Sequence, residues 1–226
     1  MAKKIYLSPS SQSTNTYAVG NTTEQEECRK IARATAKALT RCGFDTKCAD
    51  YGTMYTRIKE SNDWGANLHV PIHTNAFNKQ VAGTRLMSYD KTGEGFKACK
   101  AIFDALAPLT PGTSENISAH PELYEIQSSN APCAYIEVDF HDVPNVAQWL
   151  IDHTEEIAEA ICKGICNYFG VKYVAPASTT KPAEKPVEEK KTIYRVQVGA
   201  FHNRDYAEAM LKELKGKGYD AFIVTA

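Results

Sequence analysis

Three positions in the sequence carry side chains that could do chemistry. Glu24 opens a helical pattern. His73 ends an apolar strand pattern just before Thr74-Asn75-Ala76. Glu137 interrupts the apolar run Ala134-Tyr135-Ile136-Glu137-Val138. A catalytic zinc ion takes three protein ligands, usually imidazole and carboxylate, and keeps one position open for water. It lowers the pKa of that water, and a neighbouring carboxylate takes the proton. Each residue also has an ordinary reading. A glutamate in a first helical turn offsets the helix dipole, and a histidine at a strand end is a hydrogen-bonded core residue. Glu137 is harder to explain away, because a carboxylate in an apolar strand costs energy unless it is paired or used. In such a strand its pKa should be raised.

The elements that must position these residues follow from periodicity. Residues 5–7 read as a short buried strand, and a polar loop runs from 8 to 23. An amphipathic helix spans about 24–41, with Cys28, Ile31, Ala32, Thr35, Leu39 and Cys42 on one face. Thr22 and Gln25 have capping-box spacing, and Gly43 is a stop signal. Strands are expected at 44–48, 68–73, 83–89 and 133–138. Helices are expected at about 56–64 and 95–107, with one long helix over 145–169. Strands alternating with helices predict an α/β domain with a mainly parallel sheet flanked by helices. In such a sheet, sites gather at the C-terminal ends of the strands, where Glu24, His73 and Glu137 all map. His69 lies four residues before His73, about 13 Å away along a strand. The two cannot share an ion, so His69 reads as a core or supporting residue.

Composition narrows the classes. The formal net charge is −1, which gives no electrostatic pull toward nucleic acid or a membrane surface. No run is long enough to span a membrane. The apolar stretch after Lys3-Lys4 is too short for a signal-peptide core, so synthesis in the cytoplasm without a signal peptide is expected. The seven cysteines are odd in number and form no CxxC pair. They read as small buried hydrophobes rather than a disulfide framework or a structural thiolate-zinc site. Three segments are expected: a catalytic domain over 1–173, a Pro/Ala/Lys/Glu-rich linker over 174–191, and a small βαβ unit over 192–226. The 18-residue linker could reach on the order of 50 Å at about 3.1 Å per residue.

Residues 3–170 resemble the zinc-dependent N-acetylmuramoyl-L-alanine amidases of bacteria and their phages. The resemblance rests on the Ser8-Pro9-Ser10 loop, Asn21-Thr22-Thr23-Glu24, Ile72-His73-Thr74-Asn75 and Ile136-Glu137-Val138-Asp139-Phe140. It implies that Glu24 and His73 bind Zn2+ and that Glu137 is the catalytic carboxylate. It also suggests Asn75 and Arg57 as substrate contacts. The family usually places a first zinc-binding histidine in the loop after the first strand, and residues 8–15 contain none. Two substitutes are open: the amide oxygen of Gln12, or the imidazole of His141 in Phe140-His141-Asp142. The tail, from Tyr194-Arg195-Val196-Gln197-Val198-Gly199-Ala200-Phe201 onward, resembles the first half of a SPOR domain, a module for peptidoglycan strands stripped of stem peptides. Together these imply a peptidoglycan hydrolase of phage or prophage endolysin type that acts on the cell wall after release. Catalytically inactive wall binding, or a zinc peptidase acting on the stem peptide, are the alternatives. A lone βαβ unit leaves an uncovered sheet face, so a homodimer through 192–226 is also expected.

Overall fold

The computed structural model describes residues 2–176, 199, 203–219 and 221–223. The chain divides into two units, Met1–Ser178 and Thr179–Ala226.

The first unit is built on a six-stranded sheet in the order β2-β1-β3-β6-β4-β5. Its strands are β1 (Lys4–Pro9), β2 (Asp45–Cys48), β3 (Leu68–Asn75), β4 (Arg85–Ser88), β5 (Asn116–Ala119) and β6 (Tyr135–Phe140). The pairings β1–β2, β1–β3, β3–β6 and β4–β5 are parallel, and β4–β6 is antiparallel. The sheet is therefore mainly parallel, as expected, but β4 and β5 run against the other four strands.

Alternation along the strands sorts the two faces. Ile5, Leu7, Leu68, Val70, Ile72, Ile136 and Val138 join one apolar core with α1 (Glu24–Arg41), α3 (Glu94–Leu106) and α6 (Thr154–Phe169). The intervening residues turn toward α2 (Met54–Trp64) and α4 (Tyr124–Ser128). Tyr6 donates to Glu60 at 2.7 Å, and Ser8 donates to Glu125 at 2.6 Å.

Several boundaries differ from those read in the sequence. The capping box of α1 uses Thr23 and Glu26, one residue later than Thr22 and Gln25. Thr22 still serves the same turn, donating to Glu27 at 2.7 Å. The single helix expected over 145–169 is two, α5 (Pro144–Asp152) and α6. His153 lies between them with φ −115° and ψ 27°, its ring stacked on Trp149 and its Nδ1 2.8 Å from the Trp149 carbonyl. The apolar period runs through this break, so hydrophobicity alone could not reveal it. The strand β5 and the short helix α4 had no expected counterpart.

In the second unit α7 spans Arg204–Gly216, with Asn203 as its N-cap. The helix was expected over 206–217. Of the strand expected over 194–201, all but residue 199 lies outside the described residues, and the second strand expected over 219–224 is not formed at 219 or 221–223.

Candidate active site

The site is assembled where β1, β3 and β6 end beside the start of α1. Parallel pairing sets His73 directly opposite Glu137, so both side chains leave the same face of the sheet. Glu24 enters from the first turn of α1. The chain reaches it through a turn in which Gly20 and Asn21 take φ of 83° and 47°, backbone that glycine and asparagine tolerate. Tyr17 then donates to Thr22 across the turn at 3.1 Å, and Glu24 to the Asn15 carbonyl at 2.8 Å.

Glu24 and His73 are buried, and Glu24 Oε1 lies 2.8 Å from His73 Nδ1. Burial acts to raise the Glu24 carboxyl, but hydrogen bonds from His73, Asn15 and Ser10 outweigh it and hold it below its usual range. Burial likewise acts to lower His73, and the Glu24 hydrogen bond and the charges of Glu137 and Glu24 outweigh it, so the imidazole is raised. Tyr135 stacks on the His73 ring at 4.8 Å between centroids and fixes its plane. Gln12 lies at the open side, with Nε2 3.5 Å from His73 Nδ1. Asn15 donates to Gln12 Oε1 at 2.7 Å and to Glu24 Oε2 at 2.8 Å, tying the loop to the helix.

Glu137 is different. Its side chain is partly exposed, yet Oε2 is enclosed and has no hydrogen-bond partner. Burial pushes its carboxyl up to about 7, with His73 opposing and Glu24 adding to the shift. A carboxylate of this kind, left unpaired beside an imidazole and a second carboxylate, has the chemistry to accept a proton near neutral pH.

The other residues singled out in the sequence fall around this group. His141 binds the Thr74 hydroxyl through Nδ1 at 2.9 Å and stacks on Tyr17 at 5.0 Å. Among the described residues no hydrogen bond joins His141 to Glu24 or His73, although the Glu24 charge acts on its ring. Arg57 is buried; its Nη1 donates to the Pro9 carbonyl and its Nε to the Tyr51 carbonyl at 3.3 Å. It braces the loop that carries Gln12. Asn75 is half-buried and receives the Ala76 amide on Oδ1 at 2.8 Å. His69 is a fully buried support: Nδ1 lies 3.0 Å from Ser61 Oγ, and Nε2 lies 3.3 Å from Glu125 Oε1.

Two residues of the site had no signal in the sequence. Asn15 sits in a polar loop without periodicity. Glu125 belongs to the unread α4, and it also receives Ser8, so it anchors the end of β1.

The profile of N-acetylmuramoyl-L-alanine amidases matches residues 5–167, every part of this site included. The chain belongs to that family. The amidase is therefore a peptidoglycan amide hydrolase. A SPOR domain profile matches residues 174–225, beginning within the stretch read as linker.

Solved structures agree on the fold of the amidase. The catalytic domain of CwlV, an amidase from Bacillus (Paenibacillus) polymyxa var. colistinus, is 18% identical. The match covers 75% of this chain and 99% of that one, with a TM-score of 0.68. An N-acetylmuramoyl-L-alanine amidase from Clostridium difficile 630 is 20% identical over 75% of this chain and 97% of its own, with a TM-score of 0.67. The catalytic domain of the CD27L endolysin targeting Clostridia difficile is 22% identical over 73% and 97%, with a TM-score of 0.62. No curated protein matches the chain. No helix among the described residues is long and apolar enough to cross a membrane.

Proposed function

We propose that the amidase cuts the amide between N-acetylmuramic acid and L-alanine, with Glu137 as the proton carrier and a zinc ion held by Glu24, His73 and Gln12. The observation that carries this reading is the enclosed, unpartnered Glu137 carboxylate facing the Glu24–His73 pair. The donors fit zinc by type, since a carboxylate oxygen and an imidazole nitrogen already converge within 2.8 Å. A half-turn of the Gln12 amide would bring its oxygen to the His73 side, at the cost of the bond that oxygen accepts from Asn15. His141, the alternative third ligand, has its Nδ1 engaged with Thr74. Bound zinc would supply Lewis-acid polarisation of the scissile carbonyl and an acidified water.

The chain's own residues do the rest. Glu137 takes the proton of the attacking water and passes it to the leaving L-alanine nitrogen. Tyr135 and Glu24 hold the His73 ring. Asn15 and Arg57 fix the loop bearing Gln12. Asn75, at the exposed end of β3, is the proposed substrate contact, and Arg57 serves the substrate only through the loop.

Mass spectrometry of digested peptidoglycan tests the reaction. It should show free stem peptides beginning with L-alanine and intact glycan strands. New amino termini inside the stem would instead identify a peptidase, and binding without any product would identify an inactive wall-binding protein.

Two further roles belong to the proposal. Cell lysis as an endolysin is supported by the coupling of an amidase to a SPOR-matching segment, and turbidity of whole cells treated with the protein tests it. Homodimerisation through 192–226 is tested by light scattering of the chain beside a version ending at Tyr173. A monomer at micromolar concentration would end that reading.

A further inference from the structure

Away from the active site, three thiols meet in the interior. Cys162 and Cys166 lie one turn apart on one face of α6, and Cys42 is the C-cap of α1. All three are buried, and their sulfurs lie within 4.8 Å of one another. The Cys42 and Cys162 sulfurs are 3.7 Å apart. Four ligands around zinc at about 2.3 Å define a tetrahedron with edges of about 3.8 Å, and this pair has that separation. A disulfide would require the same two atoms to close to about 2.05 Å, and would leave the third thiol without a role.

A fourth group borders the cluster. The Val174 carbonyl oxygen lies 3.7 Å from Cys42 Sγ, again a tetrahedral edge, while the Val174 amide donates to the same sulfur at 3.3 Å. Arg41 accompanies the group, donating to the Val174 carbonyl at 2.8 Å and pairing with Glu159. Residue 174 is where the chain leaves the packed helices of the amidase. The sequence hid this arrangement, because Cys42 stands 120 residues from Cys162 and no CxxC spacing marks it.

We propose that Cys42, Cys162 and Cys166 form a structural site for a thiophilic divalent cation such as zinc, with the Val174 carbonyl at the fourth position. Binding exchanges up to three thiol protons, released to solvent, for one dipositive ion. The ion ties the end of α1, the face of α6 and the departure point of the chain into one knot. It is distinct from the proposed catalytic ion, whose donors are oxygen and nitrogen only.

Cobalt(II) distinguishes the two sites. The full chain is stripped of metal under a reductant and titrated with cobalt. Intense thiolate-to-cobalt charge-transfer absorption, saturating by two equivalents (one ion for each proposed site), is the expected result, because oxygen and nitrogen ligands cannot produce it. Cys42→Ser and Cys162→Ala should abolish the band, and Cys48→Ala, on β2, should keep it. Zinc should also slow alkylation of Cys42 by about tenfold or more, read by peptide mass spectrometry. Absence of the band in the unmodified chain overturns the proposal, whatever the variants do. So does a band that survives both substitutions, or a reductant-free chain two hydrogens lighter through a Cys42–Cys162 disulfide. Failure of the catalytic zinc reading would leave the band unchanged.

Discussion

Glu137→Gln separates what the carboxylate does for the reaction from what it costs the fold. Burial raises its pKa from 4.5 to about 7. Each pH unit corresponds to 1.36 kcal/mol, so keeping Glu137 ionised costs the metal-free protein at most about 3 kcal/mol. The direction follows from proton linkage. Between pH 4.5 and about 7 the unfolded chain has lost this proton and the folded chain keeps it, so stability falls as pH rises. Above about 7 both forms are ionised and the penalty is constant. Glutamine fills the same space and carries no charge. In chelator, the variant should be more stable than the parent by about 2–3 kcal/mol at pH 8 and indistinguishable from it near pH 4. Urea unfolding at the two pH values measures this. The same variant should lose about 10²- to 10⁴-fold in peptidoglycan hydrolysis, the usual worth of a positioned proton carrier. A variant that keeps a tenth of the parent rate refutes the catalytic assignment. A variant that gains no stability at pH 8 refutes the claim that the carboxylate is held at a cost.

Other changes probe the surroundings. His73→Ala should abolish zinc binding and lysis together, whereas Gln12→His, which adds an imidazole at the loop, should tighten zinc by about tenfold or more in competition with a chromogenic chelator. At Gly164 a Cβ would lie 2.8 Å from the Ala101 carbonyl and collide with the Ile102 backbone where α6 crosses α3. Gly164→Ala should therefore cost about 1–3 kcal/mol in urea unfolding, despite a gain of about 1 kcal/mol in helix propensity. Glu125 is buried, which acts to raise its pKa, but His69 and Ser8 outweigh this and hold it below 4.5. Its stabilisation is thus present above that value and lost as pH falls through the lowered one. Glu125→Gln should cost about 1–3 kcal/mol at pH 7, with the difference closing in acid.

Much of this could be read in the chain because the residues concerned sit in regular patterns. Glu24 follows a capping signal, His73 ends an apolar run and Glu137 breaks one, so periodicity placed the first in an opening helical turn and the other two on buried strands, although β3 runs on to Asn75 and Glu137 lies within β6 rather than at its end. What escaped had no period. Asn15 is one polar residue in a polar loop, and its value lies in bridging Gln12 and Glu24 across the turn at Gly20. Glu125 sits on five residues of helix, too short for a 3.6-residue repeat to register. The reversal of β4 and β5 is set by tertiary pairing with β6. The break at His153 depends on backbone angles that leave the hydrophobic period intact. The thiol cluster joins residues far apart in sequence, where spacing rules do not reach.

The strand β6 bears two carboxylates with separate duties. While Glu137 faces His73, Asp139 is fully buried and receives the amides of Gly83 at 2.7 Å, Phe140 at 2.7 Å and Gly112 at 3.1 Å. One six-residue strand thus carries the proposed proton carrier and the peg on which two loops hang. With those two duties, the positions would answer to different pressures over the descent of such a chain. A lineage that gave up hydrolysis and kept the fold would be released at 137 and still held at 139. Insertions near 83 or 112 would survive only where a backbone amide still reached the peg. A drifted relative is thereby told from a collapsed one by which of the two acids it has surrendered.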